Sequence, residues 1–215
     1  MPLDTQQRHA VMCLTQDNLT LSHFEQAQRL CAAGARWIQV RMKHAHEAER
    51  YATVCAIVAL CRKHDALCIV NDRLDLAMAA NAHGVHLGKE DGDWRSARSR
   101  IGPDMILGGT VNNESDARRA IDAGCLDYVG IGPWRFTATK KNLAPVLGPA
   151  GVATLIAQLD GLPAWAIGGV GVDDFPEVRA AGAAGAAVSA ALHREGGIAE
   201  NFQTLNAVWH QALKL

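Results

Sequence analysis

Short apolar runs alternate with longer amphipathic stretches along most of the chain. The runs are Ala10–Leu14, Trp37–Arg41, Leu67–Asn71, Gly84–Leu87, Met105–Gly109, Asp127–Ile131, Ala164–Ile167 and Gly185–Val188, each four or five residues long. None alternates polar with apolar positions cleanly, which is how strands covered on both faces of a parallel sheet read. Between them, Glu47–His64 sets Tyr51, Val54, Cys55, Val58 and Cys61 at helical spacing. Glu114–Ala123 and Val172–Ala181 are shorter helical segments, each followed by a glycine suited to a helix end, Gly124 and Gly182. Leu19–Ala33 before Gly34 has the same form, and Asn201–Leu215 makes a last helix.

Strand–helix alternation implies a parallel sheet, either closed or doubly wound. Eight units whose strands start about 25 residues apart favour closure into a (β/α)₈ TIM barrel. No Ser/Gly-rich linker interrupts the pattern, so residues 1–215 are expected to form a single barrel domain. The long connection from Ile131 to about Pro163 exceeds an ordinary strand-to-helix loop, and such loops are often functional.

Composition narrows the partners. The 215-residue chain is 49% apolar, enough for one large core, and carries a net charge of −1 with no basic block. That balance points away from nucleic acid and membrane surfaces, so positive charge used in function must be local. Met1–Arg8 is polar and reads as no signal peptide, and no run nears the roughly 18–20 apolar residues that span a bilayer. Cys13, Cys31, Cys55, Cys61, Cys68 and Cys125 lack C-x-x-C spacing and sit in apolar patterns, as small hydrophobes of a cytoplasmic protein do. Oligomeric state is not legible, and a homo-oligomer stays open. Trp209 suits core or interface, with core favoured.

Candidate chemistry starts at Gln39, Arg41 and Lys43. Positions i, i+2 and i+4 of a strand share a face, and here that face is polar while Ile38, Val40 and Met42 occupy the other. Such a face is either a solvated strand end or a ligand-facing one. Asn71 and Asp72 end the third run, and Asp91 follows the fourth across Gly88-Lys89-Glu90. Each aspartate alone suits a helix N-cap. Taken together, Lys43, Asp72 and Asp91 follow three consecutive strands about 4.8 Å apart and can reach a common point on the C-terminal rim, where parallel barrels place their sites. Two carboxylates beside cations suit Mg²⁺ with a phosphorylated substrate: the ion takes one or two carboxylates, and Arg and Lys neutralise the remaining oxygens. No His/Cys cluster has zinc spacing, and His83 and His86, flanking one strand, read as structural.

Thr137, Thr139 and Lys140 open the long connection with hydroxyls and an amine that can wrap an anion, and Thr110 adds a hydroxyl to the same rim. Gly168-Gly169 and Val188-Ser189 follow the seventh and eighth runs, where phosphate sites of these barrels often form from close backbone N–H groups. Two anion sites are expected, one with metal near strands two to four and one for a monophosphate near strands seven and eight.

The strings QVRMK, VNDRLDLAMAANAHGVHLGKED, GGTVNN, DYVGIGPWRFTATKK and AIGGV resemble, in order and spacing, the thiamine-phosphate synthases, from about Ala10 to Leu192. The resemblance implies a (β/α)₈ barrel that couples 4-amino-2-methyl-5-hydroxymethylpyrimidine diphosphate to 4-methyl-5-(2-phosphoethyl)thiazole with Mg²⁺. Thiamine phosphate and pyrophosphate are the products. It implies that Gln39, Arg41, Lys43, Asn71 and Lys140 hold the pyrimidine diphosphate, with Arg41, Lys43 and Lys140 stabilising the leaving group. It implies Asp72 and Asp91 as Mg²⁺ ligands, and Thr137, Thr139, Gly169, Val188 and Ser189 around the thiazole phosphate. Thr110 stands where many members have Ser, keeping a hydroxyl for pyrophosphate, whereas Arg135-Phe136 departs from the usual residue–Pro pair. The implied step is dissociative: the pyrimidine amino group spreads positive charge, the thiazole nitrogen attacks, and no general base is needed. Two rivals are a thiazole tautomerase on the same barrel and a non-catalytic sensor of thiamine intermediates.

Overall fold

A computed structural model describes residues 10–17, 19–136 and 144–211. Eight parallel strands close in sequence order: β1 (Val11–Leu14), β2 (Trp37–Val40), β3 (Leu67–Asn71), β4 (Gly84–Leu87), β5 (Ile106–Val111), β6 (Tyr128–Ile131), β7 (Ala164–Ile167) and β8 (Gly185–Val188). The last strand returns to the first, pairing Val11 with Ala186 and Cys13 with Val188. Around the sheet lie α1 (His23–Ala32), α2 (Glu47–Lys63), α3 (Leu74–Ala79), α4 (Trp94–Ile101), α5 (Glu114–Ala123), α6 (Gly148–Ile156), α7 (Phe175–Ala180) and α8 (Ile198–Gln211).

Several boundaries differ from the sequence pattern for local reasons. The stretch Leu19–Ala33 becomes helical only at His23, because Ser22 closes a capping box with Glu25: its hydroxyl accepts from the Glu25 N–H at 3.3 Å and its own N–H donates to the Glu25 carboxylate at 2.8 Å. Val172–Ala181 splits into a 3₁₀ turn (Val172–Asp174) and α7, where Pro176 occupies the first turn and its missing N–H leaves no bond unmade. β2 stops at Val40, so Arg41 lies beyond the strand, and β5 extends through Thr110 to Val111. The last helix begins at Ile198, earlier than Asn201.

Alternate strand residues divide two cores. Ile38, Val40, Cys68, Val70, Val85, Leu107 and Val129 face outward onto the helices. Met12, Leu14, Trp37, Leu67, Ile69, Ile106, Tyr128 and Trp165 fill the barrel. Trp37, Tyr128 and Trp165 meet edge to face with centroids 4.7–5.7 Å apart and plug the interior. Rings of that size fit because glycines stand opposite them: a methyl on Gly108 would lie 2.2 Å from Tyr128 Cζ, and one on Gly185 2.3 Å from Trp165 Nε1. Trp209 packs edge-on against Phe175 in the sheet–helix core, 4% exposed. All six cysteines are free, and among the described residues no helix is long and apolar enough to cross a membrane.

Gly108→Ala should lower stability by about 1–3 kcal/mol through overpacking against Tyr128. The measurement is urea unfolding, with a reduced midpoint at unchanged slope.

Candidate active site

Above the aromatic plug the interior turns polar. Gln39, only 2% exposed, donates from Nε2 to Met12 Sδ at 3.3 Å and also hydrogen-bonds the Tyr128 hydroxyl. Tyr128 sits 3.1 Å from His86 Nδ1, and His86 Nε2 is 3.0 Å from Thr110 Oγ1. Burial pushes the phenol well above its ordinary range, with the Gln39 bond opposing, so Tyr128 keeps its proton. It therefore donates to Nδ1, His86 is assigned the Nε2–H tautomer, and that proton goes to Thr110. Thr110 keeps its own O–H for the mouth. Asn71 pairs directly across from His86 in the β3–β4 ladder.

Next on the rim are the two carboxylates, and neither caps a helix. Asp72 follows β3 at φ 65°, a left-handed conformation, with its N–H bonded to His86 O at 2.8 Å. α3 is entered from Arg73 without a side-chain cap. α4 is capped by Asp93, whose Oδ1 accepts from the Ser96 N–H at 2.8 Å. Asp91 instead folds back over the end of β4, accepting the Gly88 N–H at 2.7 Å, and lies in hydrogen-bonding contact with Asp72. Lys43 Nζ stands 3.8 Å from Asp72 Oδ2. Burial and then the adjoining Asp91 raise the Asp72 carboxyl to about 6, while Lys43 and Arg41 pull the other way.

The opposite rim is built by one loop fastened to another. After β6, the Trp134 N–H bonds Ile167 O at 2.9 Å and the Arg135 N–H bonds Gly168 O at 2.8 Å. Gly132 permits this crossing, since a side chain there would start 2.1 Å from Ile167 O. The Arg135 guanidinium pairs with the buried Asp174 (Nε–Oδ1 2.9 Å), whose other oxygen accepts the Gly171 N–H at 2.9 Å. Burial pushes the Asp174 carboxyl up, but the bonds from Arg135 and Gly171 outweigh it and hold it below the usual range. Arg135, where the sequence departs from a residue–Pro pair, is thus the anchor of this loop.

Gly169, at φ 75°, lies under Arg135 and Phe136. Ser189 Oγ donates to Gln16 Oε1 at 3.2 Å. The Val188 side chain packs in the sheet–helix core, so only its backbone is offered to a ligand. Thr137, Thr139 and Lys140 lie outside the described residues. Sequence reasoning missed Gln16, Thr15, Asp17, His23, Tyr128 and Asp174. Thr15 and Asp17 carry the signal that singled out Asp72, a polar residue just past a strand's C-terminal end. Asp174 meets Arg135 across 39 positions and leaves no local trace.

Among the described residues no three His, Cys, Asp or Glu side chains are grouped to hold a metal alone. Asp72 and Asp91 nevertheless suit a hard cation that takes its other ligands from water and phosphate. Two carboxylates in contact repel unless one is protonated or a cation sits with them, and the raised Asp72 carboxyl reflects that demand.

A family model described as thiamine monophosphate synthase matches residues 10–192. The chain is 39% identical over 183 residues to a thiamine-phosphate synthase of Bacteroides fragilis, covering 83% of this chain and 89% of that one. It is 44% identical over 168 residues to one of Myxococcus xanthus, covering 78% and 76%. A solved thiamine phosphate pyrophosphorylase from Pyrococcus furiosus superposes with a TM-score of 0.85 at 30% identity, over 96% of this chain and 98% of that one.

The raised Asp72 carboxyl gives a stability prediction with a definite sign. A carboxyl whose folded pKa exceeds its unfolded value stabilises the fold below the unfolded value, and that contribution is lost as pH rises through about 6. Asp72→Asn should therefore melt higher than the parent at pH 8 in a chelator, by about 2–4 °C, the shift given by roughly 1 kcal/mol in a chain of this size. The gain should vanish at pH 4, and equal melting temperatures at pH 8 would contradict it.

Proposed function

The chain belongs to the thiamine monophosphate synthase family, and we infer that it couples 4-amino-2-methyl-5-hydroxymethylpyrimidine diphosphate to 4-methyl-5-(2-phosphoethyl)thiazole. The products are thiamine phosphate and pyrophosphate. The observation that supports this reading best is the meeting of Asp72 and Asp91 beside Lys43 at the barrel mouth. A thiazole tautomerase has no diphosphate to hold, and a paired-carboxylate, cationic rim has no use there.

Asp72 and Asp91 would hold Mg²⁺, which when bound supplies positive charge to the diphosphate oxygens. Arg41, Lys43 and Lys140 neutralise the remaining charge as the C–O bond to the pyrimidine methylene breaks. Thr110, its oxygen already accepting from His86, turns its own proton toward the pyrophosphate. Gln39 and Asn71 orient the pyrimidine above the aromatic plug, which keeps water from beneath the methylene cation. The thiazole phosphate is assigned to Thr137, Thr139, Gly169, the Val188 backbone and Ser189, and holding both substrates at one mouth is what would bring the thiazole nitrogen to the same carbon. New bond formation consumes the nitrogen lone pair and releases no proton from it, so no general base is required. Six free cysteines suit a reducing compartment, and we place the protein in the cytoplasm.

Purified protein, both substrates and Mg²⁺ should release pyrophosphate in step with thiamine phosphate; a binder without turnover, or isomerisation of a thiazole carboxylate alone, would refute the reading. Lys43→Ala should lower kcat/KM by about 10²–10³-fold, the loss seen when one group facing developing charge is removed. Asp72→Ala should nearly abolish turnover and flatten the Mg²⁺ dependence, and near-normal rates at low Mg²⁺ would exclude its metal role.

A further inference from the structure

The last backbone bond between β1 and β2 runs from the Thr15 N–H to Gln39 O at 3.0 Å. Beyond it two side chains act as acceptors in the same seam. Thr15 Oγ1 accepts the Arg41 N–H at 3.1 Å, and Asp17 Oδ2 accepts the Lys43 N–H at 3.0 Å. The residues so held are the two cations of the diphosphate rim. Their partners alternate as they do, Thr15 with Asp17 and Arg41 with Lys43, so each bond fixes one side chain's point of departure.

His23, in the first turn of α1, ties these acceptors together. Its Nδ1 lies 2.7 Å from Thr15 Oγ1 and its Nε2 3.2 Å from Asp17 Oδ1. An ionised Asp17 can only accept, so the ring proton is assigned to Nε2, and Nδ1 of the neutral ring accepts the Thr15 hydroxyl proton. Both Asp17 oxygens are thereby engaged, one on the His23 ring and one on the Lys43 backbone. Burial raises the Asp17 carboxyl, but the Lys43 N–H and His23 outweigh it and keep it ionised. Gln26, fully buried, clamps the residue between: its Oε1 accepts the Gln16 N–H at 2.9 Å, and its Nε2 donates to Gln16 O at 2.8 Å and Leu21 O at 2.9 Å.

We propose that Thr15, Asp17 and His23 are positioning residues for the transfer reaction, a half-buried brace between β1 and the start of α1 that sets where Arg41 and Lys43 meet the diphosphate. The proposal rests on the reading that those two cations face that group. Ser189, on the thiazole-phosphate side, touches the Gln16 side chain, whose backbone is held by Gln26 and not by the brace. Loss of the brace therefore acts on one substrate.

The test uses the full-length enzyme and follows KM for both substrates and Ki for inorganic pyrophosphate, with Lys43→Ala as reference. Asp17→Ala and His23→Ala should each raise KM for the pyrimidine diphosphate and Ki for pyrophosphate about tenfold, as loss of one hydrogen bond to a charged partner does. KM for the thiazole phosphate should move less than about twofold, since its contacts lie elsewhere on the rim. His23→Gln should recover most of the loss, because its amide nitrogen can take the place of Nε2. If Asp17→Ala does not fold, Thr15→Val against Thr15→Ser carries the same comparison: the hydroxyl-less variant loses pyrophosphate affinity and the serine keeps it. Unchanged pyrophosphate inhibition in the brace variants, with Lys43→Ala weakened, would overturn the proposal alone. Equal losses for both substrates would mean a general scaffold role and would also overturn it. Unchanged inhibition in Lys43→Ala itself would sink the underlying reading and the brace with it.

Discussion

Closure of the parallel sheet is the constraint on which everything else depends. Once β8 pairs with β1, every strand delivers the residue after its C-terminal end to one ring, and every inward side chain to one narrow interior. The interior is filled at its centre by Trp37, Tyr128 and Trp165, with Gly108 and Gly185 giving them room. A filled centre forces whatever polar residues the strands carry upward, where they must find partners or a ligand. Gln39, Tyr128, His86 and Thr110 answer that requirement as one hydrogen-bonded thread that leads from the plug to the mouth.

At the mouth, the same convergence places like charges in contact. Asp72 and Asp91 approach each other although neither is needed as a helix cap, and Asp72 does so from a left-handed backbone. Such an arrangement lowers the stability of the empty protein and favours binding of positive charge, a common trade in sites evolved for a ligand. Lys43 and Arg41 offset part of it by their positive charge. The rim thus holds two carboxylates and two cations side by side, opposite charges gathered at one mouth.

Loops at the mouth are held by polar side chains as well as by the few backbone bonds that run past the strand ends. On one side, Thr15, Asp17 and His23 carry the β1–β2 seam past Val40. On the other, Arg135 and Asp174 fix the chain leaving β6 over the turn after β7. Both devices put a buried or half-buried carboxylate to work on N–H groups, where a charged acceptor gives a shorter and stronger bond than a neutral one.

The closed eight-fold barrel and its rim were legible in the sequence because apolar runs covered on two faces, spaced at one strand–helix unit, admit few other arrangements. The same reasoning brought Lys43, Asp72 and Asp91 to one point, since residues after neighbouring strands must end on one rim. Helix starts were less legible, as at His23 and Phe175, because a capping box or a proline turn decides them over three or four residues. What the sequence could not reveal were pairings across long separations: Tyr128 with His86, Arg135 with Asp174, Asp17 with the Lys43 backbone. Those depend on which side chains closure places within about 3 Å of each other, a distance that periodicity does not encode and only the tertiary structure decides.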